Sequence, residues 1–144
     1  MSRKQTYLVV DDDADDVMLM KEAIKDLNDE IEIHYAKNGV EALKMMRTVF
    51  TQLPDIIFLD LNMPMMNGKE CLQEIKSDPK LQNIEVIIYT TSDQLRDIYA
   101  SKSLGAIGYI TKPSSYKTLK NIFSILASNH ELSLKDKLCQ LQKE

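Results

Sequence analysis

Several things are scarce in this 144-residue sequence, and each shortage closes off a class of protein. There are two cysteines, Cys71 and Cys139, too few for a disulfide framework; both read as small apolar fillers. No stretch approaches the ~18 consecutive apolar residues of a membrane span. The opening Met-Ser-Arg-Lys-Gln-Thr leads into a short apolar run that ends in acids, with no small-residue cleavage site, so a secretory leader is not expected. A basic surplus is also missing: Lys and Arg total 18 against 22 Asp and Glu, for a formal net charge of −4 and a pI near 5.2. That balance disfavours direct nucleic-acid binding. The two histidines, His34 and His130, have no cysteine or histidine partner at metal-ligand spacing. The expected setting is cytoplasmic, away from membranes.

What is present is a 44% apolar share, enough for one core, distributed in an alternating pattern. Tyr7-Leu8-Val9-Val10, Ile56-Ile57-Phe58-Leu59 and Val86-Ile87-Ile88-Tyr89 are continuous apolar runs, the mark of strands buried on both faces. Ile31 to Ala36 alternates as a half-exposed strand, and Ile107 to Thr111 is a shorter fifth. Between them, apolar residues recur at helical spacing: Val17, Met20, Ile24 and Leu27; Val40, Leu43 and Met46; Cys71, Leu72 and Ile75; and finally Tyr116, Leu119, Ile122, Phe123 and Leu126. Ser92 is expected to cap the fourth helix with Asp93 in its first turn, and Gly105 to end it. Five βα repeats imply a parallel sheet with helices on both faces. The strand order is either flavodoxin-like, 2-1-3-4-5, or that of half a Rossmann unit; both put function at the carboxyl ends of the strands.

Those ends carry the chemistry. Strand 1 runs into Asp11-Asp12-Asp13, strand 3 into Asp60-Leu61-Asn62-Met63-Pro64, strand 4 into Thr90-Thr91-Ser92 and strand 5 into Lys112-Pro113. With strands 1 and 3 adjacent, Asp11, Asp12 and Asp60 share one crevice beside Thr90 and Lys112. Crowded carboxylates repel unless a cation sits among them, and Mg²⁺ suits oxygen ligands while keeping waters that a phosphate can replace. Asp60 then reads as a nucleophile for a phosphoryl group, with Lys112 and the Thr90 hydroxyl for its oxygens. An EF-hand reading of Asp11, Asp13, Asp15 and Glu22 fails, because Asp16 stands where glycine is required and a strand precedes the run.

Val10-Asp11-Asp12, Leu59-Asp60-Leu61-Asn62-Met63-Pro64, Gly68, Tyr89-Thr90-Thr91, Gly105-Ala106 and Tyr109-Ile110-Thr111-Lys112-Pro113 together resemble the CheY-like receiver domains of two-component response regulators, from about residue 5 to about residue 128. The resemblance implies the doubly wound (βα)5 fold with order 2-1-3-4-5, and phosphorylation at Asp60 from a sensor histidine kinase or a histidine phosphotransfer protein. It implies Mg²⁺, for which Mn²⁺ can substitute, ligated by Asp12 and Asp60, by Asp11 largely through water, and by the Asn62 backbone carbonyl. It further implies a cis Lys112–Pro113 peptide and a switch pair, Thr90 and Tyr109, that alters the surface of helix 4, strand 5 and helix 5. No turnover enzyme is expected beyond slow self-catalysed phosphotransfer and autodephosphorylation. The stretch from Asn62 to Gly68 is similar to regulators paired with phytochrome-like or hybrid sensor kinases.

The receiver unit is placed at residues 1–130 and an extension at 131–144, where Leu134, Leu138 and Leu141 form a helical stripe and Ser133 with Asp136 resembles a capping box. An isolated helix of that length is marginal, so a tail of little function is expected there. With no output domain after residue 130, the expected output is contact with an unidentified protein or onward relay, from a monomer or weak homodimer. The alternative function is a pseudo-receiver, a phosphorylation-independent binding module. A haloacid-dehalogenase-type phosphatase would want a second acid where Asn62 stands, and a flavodoxin would want a glycine- and hydroxyl-rich loop where Asp11-Asp12-Asp13 would repel phosphate.

Overall fold

The computed structural model describes residues 5–28, 30–128 and 132–142. Its elements alternate: β1 (Thr6–Val10), α1 (Ala14–Leu27), β2 (Glu32–Ala36), α2 (Gly39–Lys44) with a π-helical turn over Met45–Val49, β3 (Ile56–Leu59), α3 (Gly68–Ser77), β4 (Glu85–Thr90), α4 (Leu95–Ser103), β5 (Gly108–Thr111), α5 (Tyr116–Ser128) and α6 (Leu134–Gln142). All strand pairs are parallel and the order is β2-β1-β3-β4-β5, the flavodoxin-like alternative of the two left open by the pattern.

The pleat sends successive strand residues to opposite faces, so each apolar run feeds two cores. Tyr7, Val9, Ile56, Phe58, Ile87, Tyr89 and Ile110 meet Val17, Met20 and Ile24 of α1 and Leu119, Phe123 and Leu126 of α5. Leu8, Val10, Ile57, Leu59, Val86 and Ile88 meet Leu43 and Met46 around α2 and Cys71, Leu72 and Ile75 of α3. Phe58 anchors the first layer, edge-on to both Tyr7 and Phe123 at 5.3 Å between ring centroids. Burial on both faces explains why β1, β3 and β4 read as unbroken apolar runs, while β2, at the sheet edge, alternates.

Five expectations are corrected, the first being Leu27, which is exposed at the end of α1. Val40 is solvent-exposed, because α2 turns Ala42 and Leu43 inward instead. Tyr116 is also largely exposed; its hydroxyl donates to Asp26 of α1. The fourth helix starts later than Ser92 predicts: Gln94 precedes α4 without a side-chain cap, and Ser92 Oγ donates to Asp97 at 2.6 Å. Cys139 is exposed, unlike buried Cys71. Gly105 does end α4, at φ +107°, where a side chain would be strained. His34 is half-exposed beside Glu32 at 3.2 Å; His130 lies outside the described residues.

The segment after α5 is packed rather than a loose tail. Ser133 caps α6, its Oγ accepting from Asp136 N–H at 3.1 Å. Leu138 is buried in the α1–α5 layer, with Leu134 and Leu141 packed beside it. It lies against Gly108 of β5, where an added Cβ would come within 2.7 Å of Leu138 Cδ1. Lys137 is buried with it, and its ammonium donates to the Leu126 carbonyl at 3.0 Å near the end of α5. Among the described residues no helix is long and apolar enough to cross a membrane.

Candidate functional site

Parallel pairing of β1 with β2 and β3 fixes the acidic crevice. Asp11 N–H donates to Ala36 O and Asp60 N–H to Val10 O, both at 3.0 Å, so the residues closing the first and third strands are held side by side by backbone. Asp11 and Asp60 are buried and Asp12 is exposed; each offers a carboxylate oxygen, and these oxygens lie within 4.8 Å of one another. Asp11 Oδ1 accepts from Asp13 N–H at 2.9 Å, and Asp13 Oδ1 caps α1 by accepting from Asp15 and Asp16 N–H. The acidic run therefore divides: Asp11 and Asp12 face the crevice, while Asp13 and Asp15 serve the start of α1.

The loop after Asp60 is shaped by close backbone approach. Asn62 N–H donates to Asp60 Oδ1 at 3.4 Å, and Gly68 N–H to Leu61 O at 2.9 Å. A Cβ on Gly68 would overlap the Asp60 carbonyl oxygen and stand 2.7 Å from Leu61 Cα, so only glycine fits. Asn67 then caps α3 in a reciprocal capping box with Glu70.

Lys112 enters from the end of β5, its N–H donating to Thr90 O at 2.7 Å. Its side chain is only 9% exposed, and Nζ stands 2.8 Å from Asp11 Oδ2, 2.8 Å from Asp16 Oδ2 and 3.5 Å from Asp60 Oδ2. The Lys112–Pro113 peptide is trans, against the cis bond the resemblance implies; trans is the isomer an X–Pro amide favours by about 0.5–1 kcal/mol. Burial opposes the ammonium, but its hydrogen bonds to Asp11 and Asp16 outweigh that cost and hold its pKa above the usual lysine value. Burial raises the Asp11 carboxyl to about 6; Lys112 and the Asp13 amide pull it down without cancelling the effect.

Thr90 is fully buried, and its hydroxyl has no hydrogen-bond partner among the described residues. An orphaned buried hydroxyl costs about 1–3 kcal/mol, so its lack of a partner at the end of β4 calls for an explanation. Tyr109 is half-buried and its hydroxyl donates to Ser92 O at 2.7 Å. Ser92 in turn bonds Asp97, which also accepts from Lys69 at 2.8 Å, tying β5, the β4–α4 loop, α4 and α3 together.

Of the residues expected at the site, the structure brings Asp11, Asp12, Asp60 and Lys112 together; Asn62 joins through its N–H to Asp60, Thr90 through its backbone carbonyl to the Lys112 N–H, and Tyr109 bonds Ser92 in the loop after β4. Sequence reasoning missed Asp16, whose partner lies 96 residues away, and the Ser92–Asp97–Lys69 group. The usable signal for Asp16 was its place in the first turn of α1, directly above the strand ends. The three clustered carboxylates suit a hard divalent cation, since they are oxygen donors with one exposed member open to water.

A family model described as the response regulator receiver domain matches residues 7–124. The curated protein "Response regulator Rcp1" of Synechocystis sp. is 32% identical over 126 residues, covering 85% of this chain and 84% of that protein. Among solved structures, the phosphorylated cyanobacterial phytochrome response regulator RcpA superposes with a TM-score of 0.79 at 34% identity, over 85% of this chain and 90% of the other. The Mn²⁺-bound form of Rcp1 does so with a TM-score of 0.79 at 30% identity, over 90% and 98%.

Proposed function

Because the chain belongs to the response regulator receiver family, we propose that it accepts a phosphoryl group on Asp60 from a sensor histidine kinase or histidine phosphotransfer protein. The observation that carries this reading is the convergence of buried Asp60 with the Asp11–Asp12 carboxylates, the Lys112 ammonium and the unpartnered Thr90 hydroxyl.

An Asp60 carboxylate oxygen attacks phosphorus while the P–N bond to the donor's phosphohistidine, protonated at its other ring nitrogen, breaks, leaving an aspartyl phosphate and a neutral imidazole. A bound Mg²⁺, or Mn²⁺ as in the related Rcp1 structure, would neutralise charge on the transferring group. Asp11, Asp12 and Asp60 would hold it with the Asn62 backbone carbonyl. Lys112 donates to one phosphoryl oxygen and Thr90 to another, which satisfies the hydroxyl that has no partner in the unmodified protein. Phosphorylation adds about −1.5 to −2 charge at this strand end. Thr90 moving toward it frees space behind, Tyr109 gives up its bond to Ser92 and turns inward, and the α4–β5–α5 surface changes for a protein target.

The receiver unit occupies residues 1–130 and residues 131–144 form its extension. The chain works in the cytoplasm as a monomer or weak homodimer and catalyses only its own phosphorylation and dephosphorylation. A phytochrome-like kinase as donor is supported by the description of the related RcpA as a phytochrome response regulator. The test is incubation with acetyl phosphate. The wild-type protein gains one phosphoryl mass on the peptide containing Asp60 when Mg²⁺ is present; excess EDTA or Asp60→Asn prevents it. No gain in wild type would favour the pseudo-receiver instead.

A further inference from the structure

Phosphoryl transfer to Asp60 needs Lys112 at the acceptor, yet its ammonium stands nearer to two other carboxylates. One of them, Asp11, belongs to the group suited to a divalent cation; the other, Asp16, stands outside it. We propose that Asp16 is the positioning residue for Lys112, holding the ammonium so that its remaining donor faces Asp60 and keeping it there when Asp11 turns to a cation. This rests on the phosphoacceptor reading and adds to it a residue outside the cation group.

An ammonium carries three donors and no acceptor. Asp11 and Asp16 each take one at 2.8 Å, which leaves the third for Asp60, 3.5 Å away, or for a phosphoryl oxygen placed on it. Were a divalent cation held among Asp11, Asp12 and Asp60, Asp11 would be drawn toward it and Lys112 repelled at short range. Lysine reaches the crevice on a flexible four-carbon stem, so a lone weakened partner would not fix it. Asp16 supplies the independent anchor. It is the third residue of α1, and α1 is locked to the core through Val17, Met20, Ala23 and Ile24. A plain role in favouring the helix dipole would need no partner. Asp16 instead makes a 2.8 Å bond, spanning α1 to the end of β5, to a lysine that is almost fully buried.

The experiment compares wild type with Asp16→Asn, Asp16→Glu, Lys112→Ala and the Asp16→Asn/Lys112→Ala double variant, by two readouts. The first is the rate of phosphorylation by acetyl phosphate in Mg²⁺. Asp16→Asn is expected to slow it about tenfold, the scale of one charge-assisted hydrogen bond, and Asp16→Glu to restore most of it. In the Lys112→Ala background Asp16→Asn should cost nothing further, because Asp16 acts only through the lysine. Affinity for Mg²⁺ itself, by calorimetry, should change less than about threefold, since Asp16 is no ligand. The second readout is the ¹⁵N spectrum of the Lys112 side chain in the unphosphorylated protein. Its Nζ–H signals should be retained in Asp16→Glu and lost to exchange in Asp16→Asn. An unchanged rate in Asp16→Asn, an equal loss in the Lys112→Ala background, or unaltered Nζ–H signals would overturn the assignment. Failure of wild type to become phosphorylated, with the Nζ–H pattern as expected, would overturn the phosphoacceptor reading and the catalytic part of the proposal, leaving Asp16 a structural anchor.

Discussion

Replacing Asp11 with asparagine should make the cation-free protein more stable at neutral pH. Asp11 is 1% exposed, and burial raises its carboxyl from 3.8 to about 6. The folded state therefore binds this proton more tightly than the unfolded chain. Stability from this group is full below about pH 4, is lost as pH rises toward 6, and stays lost above it. At about 1.4 kcal/mol for each tenfold change in proton affinity, the charge costs roughly 3 kcal/mol at pH 7. Asparagine carries no charge, and its one carbonyl oxygen can keep either the Lys112 ammonium or the Asp13 N–H, which now bond different oxygens of Asp11; losing the other offsets about 1–2 kcal/mol of the gain. Urea unfolding in EDTA from pH 4 to 8 should then show Asp11→Asn more stable than wild type by about 1–2 kcal/mol at pH 7, with the gap closing and then reversing toward pH 4. Adding Mg²⁺ should narrow the gap from the other side, since wild type gains binding energy that the variant has partly forfeited. A variant less stable than wild type at pH 7 in EDTA would refute the reasoning: the pairing with Lys112 would then outweigh desolvation.

Gly68→Ala should cost about 3 kcal/mol or more in urea unfolding and weaken Mg²⁺ binding in calorimetry, because its Cβ strikes the backbone of Asp60 and Leu61. Leu138→Ala should cost about 2–4 kcal/mol and, by hydrogen exchange, expose α6 before the sheet, since Leu138 joins that helix to β5. Tyr109→Phe removes a bond to the Ser92 carbonyl at a half-buried site; thermal unfolding should register under about 1 kcal/mol, while amide shifts should change through the β4–α4 loop.

The sheet was legible because period and burial coincide. Runs such as Ile56–Leu59 are apolar on both faces only in a covered parallel sheet, and β2 alternates because it lies at the edge. The core of the site was legible for a related reason: parallel strands end together, so the residue types written after each run must meet. What escaped depends on contacts between elements far apart in sequence. Nothing near Asp16 in the chain names Lys112 as its partner, and the tight approach of Leu138 to Gly108 joins segments thirty residues apart through a missing side chain. Helical spacing placed Val40 and Tyr116 inward by period alone; packing turned both to solvent. Ser92 has the chemistry of an N-cap, but its hydroxyl is taken by Asp97, and α4 begins only after that bond has turned the chain.

Among the described residues, Asp11, Asp16 and Asp60 face the one ammonium of Lys112, with Asp12 beside them, so the crevice keeps an excess of negative charge that folding alone does not neutralise. A bound divalent cation would relieve most of that excess, and a phosphoryl group on Asp60 would restore it beside Lys112. A carboxylate outside the cation group gives Lys112 one partner that a cation would not share, besides Asp11 and Asp60, which it would. If that division of labour holds, moving the Asp16 carboxyl elsewhere on α1 should damage phosphorylation while leaving cation binding and the fold intact, which a merely acidic surface would not do.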